Sequence, residues 1–148
     1  MGTSKGICDA RTVIITGAAG GLGRAYALAF GAEGANVVVN DIGTSLGGDG
    51  RDTSAADRVV DEIRAAGGNA IANYEDITDW DAAGRMVEAA LAAFGDLHVI
   101  VNNAGIVRDR MFVSATLDEW DATMHVHLRG HFCLARHAVN YWRGKQKE

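Results

Sequence analysis

The chain has 148 residues, 48% of them hydrophobic and 22% charged, with a formal net charge of −5. That length and balance fit one ordinary globular domain. The acidic balance, with no basic stripe, argues against a nucleic-acid partner, and no apolar run is long enough to span a bilayer.

Met1 to Ala10 lacks the apolar centre of a secretion signal, so no leader is expected there. A first strand is predicted over Thr12–Thr16. Thr16-Gly17-Ala18-Ala19-Gly20-Gly21-Leu22-Gly23-Arg24 follows it and opens a helical run from Leu22 to Phe30. Strand, glycine turn and helix start, in that order, build a site for a dinucleotide pyrophosphate. Gly17 lets the chain turn off the strand. Gly21 lets the backbone approach phosphates with no Cβ in the way. Gly23 lets the helix pack against the sheet, and the N–H groups of the first turn, from Leu22 on, then face the anion.

A second strand is predicted over Asn36–Asn40, with Asp41 at its end, 20 residues after Gly21. A carboxylate there accepts hydrogen bonds from the adenosine ribose hydroxyls and repels a 2′-phosphate, which favours NAD over NADP. Arg24, near the phosphates, counts against that preference. The alternative for Asp41 is a solvated acid at a strand end. Gly43–Arg51 is glycine-rich and reads as a surface loop.

Ala56, Val59, Val60 and Ile63 form a helical stripe, and a third strand is predicted over Ala70–Tyr74. Thr78 with Asp81 reads as a helix cap, followed by a stripe of Met86, Val87, Ala90, Leu91 and Phe94. His98–Val101 is the fourth predicted strand. Thr116 with Glu119 marks another helix start, and Gly34, Gly67 and Gly95 stand where helices end. Trp120 and Met124 are expected in a core or an interface. Leu128, Phe132, Ala135, Val139 and Trp142 repeat at spacings of four and three along one long helix. The strands are short apolar runs without clean alternation, as in parallel strands buried on both faces. Right-handed crossovers then give an α/β, Rossmann-type parallel sheet with helices on both faces. Cys8 and Cys133 form no CxxC pair, so a reduced, cytoplasmic setting is expected. The absence of proline has no functional reading.

The motifs resemble those of the short-chain dehydrogenase/reductase family. Its TGxxxGxG turn is matched at Thr16, Gly17, Gly21 and Gly23, its Asp-plus-aliphatic adenine contact at Asp76 and Ile77, and its Asn-Asn-Ala-Gly turn at Asn102 to Gly105. The resemblance covers essentially the whole chain but only the front of the family's length. It implies strand order 3-2-1-4, a cofactor held also by Asn103, Ala104 and Gly105, and a homodimer or homotetramer. Residues 1–148 would be the N-terminal part of one dinucleotide-binding domain. Val39 to Gly43, Asn103 to Arg110 and Val126 to Gly130 are similar to one branch. That branch is the (3R)-hydroxyacyl-CoA dehydrogenase module of peroxisomal multifunctional enzymes and bacterial relatives. It implies oxidation of a secondary alcohol on an acyl-CoA or a related lipid or steroid. Arg108 and Arg110 then either meet a CoA phosphate or belong to a solvated loop.

In the family a Ser, a Tyr and a Lys beyond the fourth helix carry the proton chemistry. Tyr141-Trp142-Arg143-Gly144-Lys145 has the Tyr-to-Lys spacing, but Tyr141 is only 38 residues past Asn103, and no serine follows Ser114. The string is expected to be a decoy and the chain to be the cofactor-binding half of an enzyme, inactive alone. Strand 4 would then be an open edge. His127 stands where most of the family has an Asn that supports a proton relay through water. Relay and helix packing are both open for it. His125, His127 and His131 have no accompanying acidic or cysteine ligand, so no metal site is expected.

Two other readings compete. One is a non-catalytic nucleotide-binding or assembly fragment. The other is a methyltransferase, against which the Asn102–Gly105 turn and the glycine spacing argue. A P-loop NTPase is excluded by the lack of a Gly-Lys-Ser/Thr string.

Overall fold

The computed structural model describes residues 6–45, 47, 50 and 52–146. In chain order the elements are β1 (Thr12–Thr16), α1 (Gly21–Ala32), β2 (Asn36–Asn40), α2 (Ser54–Ala65), β3 (Asn69–Asn73), α3 (Trp80–Phe94) and β4 (Val99–Val101). A short 3-10 turn (Phe112–Ser114), α4 (Leu117–Met124), a π-helical turn (His125–Gly130) and α5 (His131–Lys145) complete the chain. The strands form one parallel sheet in the order β3-β2-β1-β4, a Rossmann-type arrangement. Ile14 pairs with Val38 on one side and Ile100 on the other, so β1 is, with β2, an interior strand.

Successive side chains of a strand point to opposite faces, and here both faces are covered. Val13, Ile15, Val37 and Val39 pack with Ala27 of α1 and with Val59 and Ile63 of α2. Ile14 and Val38 pack on the other face with Met86 and Ala90 of α3 and with Leu134 and Ala138 of α5. Double coverage is why the strands carry apolar residues at consecutive positions.

Several local expectations are corrected. β3 runs one residue earlier than predicted, and β4 excludes His98. His98 instead uses its ring, accepting the Thr12 N–H at Nδ1 (3.0 Å). The cap of α3 is Asp79, whose extended backbone lets Oδ1 accept the Ala82 N–H at 2.7 Å. Thr78 turns back, donating its N–H and its hydroxyl to Asp76 Oδ1, both at 2.8 Å. Thr116 and Glu119 do form a reciprocal capping box on α4. The surface loop expected over Gly43–Arg51 falls partly on residues 46, 48, 49 and 51, which lie outside the described residues.

The single long helix is interrupted by the π-turn, and its buried side differs from the stripe read in the sequence. Cys133, Leu134 and Ala138 face the core, while Leu128, Phe132 and Val139 are 62%, 59% and 41% exposed. Trp120 is exposed rather than in the core, and Met124 is half-buried. The widened turn lets Gly130 rest directly on Ile77; a Cβ there would lie 2.6 Å from Ile77 Cδ1.

Leu134 is fully buried under the sheet. Leu134→Ala should lower stability by about 2–5 kcal/mol, read from urea unfolding of the full-length protein.

Candidate functional site

The carboxyl ends of the four strands open into a cleft of about 860 Å³ whose lining includes Gly21, Asp41, Asp76, Ala104 and His125. In an open parallel sheet this end, where the connections diverge, is where ligands bind.

The cleft begins with two turns tied together. The Thr16 hydroxyl, at the end of β1, accepts the N–H groups of Asn103 (3.1 Å) and Ala104 (3.0 Å) and donates to the Val101 carbonyl (3.3 Å). The Asn103 carboxamide returns the contact, donating to the carbonyls of Thr16 (2.9 Å) and Gly17 (3.1 Å). Two glycines permit this closeness. Gly17 has φ +62°, and a Cβ on it would lie 2.8 Å from Ala104 Cα. A Cβ on Gly23 would lie 2.1 Å from the Gly17 oxygen. Gly21 differs: a Cβ there would meet nothing within 4 Å, so its bare side faces open space.

The start of α1 is electrostatically open. Its N-cap, Gly20, supplies no side-chain cap, and no acid stands in the first turn. The orphan N–H groups and the positive end of the helix dipole therefore lack the anionic partner that α3 and α4 carry in their own side chains. Leu22, 67% exposed, projects beside them. These residues fit a diphosphate.

Asp41 leaves β2 at the rim of the same cleft. Its Oδ2 accepts the Ala19 N–H (2.9 Å) and its Oδ1 the Gly43 N–H (2.7 Å), so it braces the glycine turn while keeping lone pairs for a further donor. Arg24 is turned away onto Glu62 of α2. Asp76 lies at the rim beyond β3, bonded to Thr78, and Ile77 is buried beneath it against Gly130. Glu75 also lines the cleft, but Arg85 holds it at 2.7 and 2.8 Å, and that guanidinium keeps its carboxyl below the usual range.

Sequence reasoning missed the amide pair behind these acids. Buried Asn40 donates to Asn73 Oδ1 (2.8 Å) and to the Glu75 carbonyl (2.9 Å), which fixes the ends of β2 and β3 side by side. The available signal was a polar residue closing an otherwise apolar strand. The Thr16 hydroxyl bridge was also missed, because threonine in a strand reads as ordinary. His131 was weighed only as a metal ligand. Its Nε2 meets the Ala104 carbonyl at 2.9 Å, and His127 meets the Ile106 backbone. Among the described residues no three His, Cys, Asp or Glu side chains are grouped to hold a metal ion.

Tyr141 and Lys145 lie at the opposite end of the sheet. The Tyr141 hydroxyl donates to Asp96 Oδ1 (2.7 Å), Lys145 pairs with Asp96 Oδ2, and Trp142 donates its indole N–H to the Leu97 carbonyl (2.8 Å). Lys145 and Tyr141 hold the Asp96 carboxyl far below its usual range. The hydrogen bond to Asp96 in turn pushes the Tyr141 phenol up, the wrong direction for a group that must give up its proton. Arg110 is paired with Glu119 at 2.6 Å. Arg108 lines the cleft.

The sequence profile described as short chain dehydrogenase matches residues 11–148. The mouse peroxisomal multifunctional enzyme type 2 is 51% identical over 133 residues, covering 90% of this chain and 18% of that protein. A hydroxyacyl-CoA dehydrogenase of Mycobacterium tuberculosis is 46% identical, covering 93% of this chain and 42% of that protein. A short chain dehydrogenase from Mycobacterium avium, solved by crystallography, superposes with a TM-score of 0.87 at 56% identity, over 96% of this chain and 49% of that one. The chain thus spans less than half the length of each of these. The expected cytoplasmic setting is corrected: five similar curated proteins, the mouse enzyme among them, are named as peroxisomal. Free thiols at Cys8 and Cys133 are compatible with several compartments and select none.

A carboxyl depressed in the folded state contributes stability above its unfolded pKa of about 4, and that contribution is lost as pH falls through the lower folded value. Acidification below about pH 4 should therefore destabilise the wild type more steeply than Asp96→Asn in the full-length protein, measured by thermal unfolding across pH. Tyr141→Phe should cost about 1 kcal/mol or less and leave ligand binding at the cleft unchanged.

Proposed function

Because the chain belongs to the short chain dehydrogenase family, we propose that it forms the cofactor-holding part of an NAD-dependent oxidoreductase acting on a secondary alcohol. The observation that carries this reading is the uncapped, acid-free start of α1 lying beside the Asp41 carboxylate. Those groups are complementary to the two ends of an adenosine diphosphate: N–H groups for the phosphates, a carboxylate for the ribose hydroxyls. The Asp41 charge favours NAD over NADP. So does the engagement of Arg24 with Glu62, which occupies the cation that a 2′-phosphate would need.

Bound in this cleft, a nicotinamide dinucleotide would supply hydride-acceptor chemistry for the carbinol carbon. The chain's own contribution is to hold and orient. Gly17, Gly21, Leu22 and Gly23 offer the diphosphate cradle, Asp76 and Ile77 the adenine edge, and Asn103, Ala104 and Gly105 the inner wall. Proton transfer belongs to groups other than Tyr141 and Lys145, which point to the far end of the sheet. The substrate class is a hydroxyacyl-CoA or a related lipid or steroid alcohol, in keeping with the name of the Mycobacterium tuberculosis relative. Residues 1–148 contribute the first part of one dinucleotide-binding domain. A homodimer or homotetramer uses the exposed Leu128, Phe132 and Val139 face.

In the full-length protein, Asp41→Ala should weaken NAD at least about tenfold by calorimetry while changing NADP less. An unchanged preference removes Asp41 from the ribose role. Dehydrogenase turnover of a 3-hydroxyacyl-CoA with NAD, followed at the reduced-nicotinamide absorbance, should survive Tyr141→Phe. Its loss in that variant would overturn the decoy assignment.

A further inference from the structure

His127 and His131 stand one helical turn apart, and both rings reach the backbone of the turn that follows β4. His131 Nε2 faces a carbonyl, that of Ala104, at 2.9 Å, so it carries a proton and donates. His127 Nε2 faces two groups of one residue: the Ile106 N–H at 3.1 Å and the Ile106 carbonyl at 2.9 Å. One ring nitrogen cannot serve both. Unprotonated, it accepts from the N–H and sets its lone pair against the carbonyl oxygen. Protonated, it donates to the carbonyl and sets its hydrogen against the peptide hydrogen. The approach is built in by Gly105, where a Cβ would lie 2.5 Å from His127 Cε1, and by the π-turn that carries His127.

The two choices differ in what they leave unpaired. Ile106 is half-buried; its N–H has a single bond to make, whereas its carbonyl keeps two lone pairs open to water or to a ligand. We propose that His127 is a positioning residue: as its Nδ1–H tautomer it accepts the Ile106 N–H at Nε2 and leaves the Ile106 carbonyl as an acceptor for a hydroxyl or amide donor of the bound dinucleotide. Ile106 lines the cleft beside Asn103, Ala104 and Gly105. The inference rests on the nucleotide function proposed above. It assigns His127 a role through the peptide backbone, without a step in proton transfer.

Two measurements on the full-length protein test it. Nitrogen-15 NMR of labelled histidine should show an unprotonated Nε2 for His127 at neutral pH. A protonated Nε2 overturns the proposal whether or not NAD binds. Calorimetry should show NAD weakened about tenfold by His127→Phe, the loss of one hydrogen-bonded contact. The Gln carboxamide oxygen reaches about as far as Nε2 and accepts an N–H as it does, so His127→Gln should stay within about threefold of wild type. Unchanged affinity in His127→Phe, or equal losses in both variants, overturns the proposal. Wild-type protein that binds no NAD sinks the nucleotide function instead, and the nitrogen signal then still decides the tautomer.

Discussion

The cleft depends on one bridge between two turns. Thr16 ends β1 and Asn103 follows β4, 87 residues later, yet their side chains exchange hydrogen bonds with each other's backbone. The Thr16 hydroxyl gathers two N–H groups of the second turn, and the Asn103 carboxamide gathers two carbonyls of the first. A turn that leaves a parallel sheet would otherwise present these groups unpaired, at a cost comparable to a lost hydrogen bond each. Pairing them turn to turn, rather than with a ligand, leaves the N–H groups at the start of α1 free. The glycines follow from the same constraint. Any Cβ at Gly17 or Gly23 would occupy the space the bridge needs.

The helix starts show how the molecule spends its acids. α3 and α4 are capped by Asp79 and by the Thr116–Glu119 pair, so their dipoles are answered internally. α1 is left bare although Asp41 is close by. Asp41 reaches the Ala19 and Gly43 N–H groups, one on the turn before the helix and one on its own loop, not the first helical turn. The carboxylate thus stabilises the loop that precedes the helix without quenching the positive end that follows. The Asn40–Asn73 amide pair holds this carboxylate and Asp76 on a common rim. Behind both, the sheet supplies a rigid base, because β1 and β2 are buried on two faces.

The far end of the sheet holds the same residue types in a different setting. Tyr141 and Lys145 have the spacing of a proton-transfer pair, but Asp96 takes both, and a carboxylate beside a phenol holds its proton rather than releasing it. Trp142 ties α5 to Leu97 just before β4, and His98 ties the same stretch to Thr12 at the start of β1. Chemistry is assigned by the end of the sheet a side chain reaches, and a four-residue spacing does not contain that information.

The sequence by itself determined the alternation of strands and helices, the two-sided burial of the strands, the glycine turn and the acid at the end of β2. Each of these is written in local composition: apolar runs without alternation, a Gly17-Gly21-Gly23 spacing, a polar residue closing an apolar segment. Three-dimensional packing decided the rest. It turned the Leu128, Phe132 and Val139 stripe outward and Leu134 and Ala138 inward, because α5 lays its Leu134 and Ala138 side against Ile14 of the sheet and against α3. It moved the α3 cap from Thr78 to Asp79, because Asp76 had already claimed Thr78. It brought Thr16 to Asn103 and His127 to Ile106 across long stretches of chain. Period and propensity are properties of neighbours in sequence, whereas a hydrogen-bond partner is set by where the sheet places two turns, and only the folded chain contains that distance.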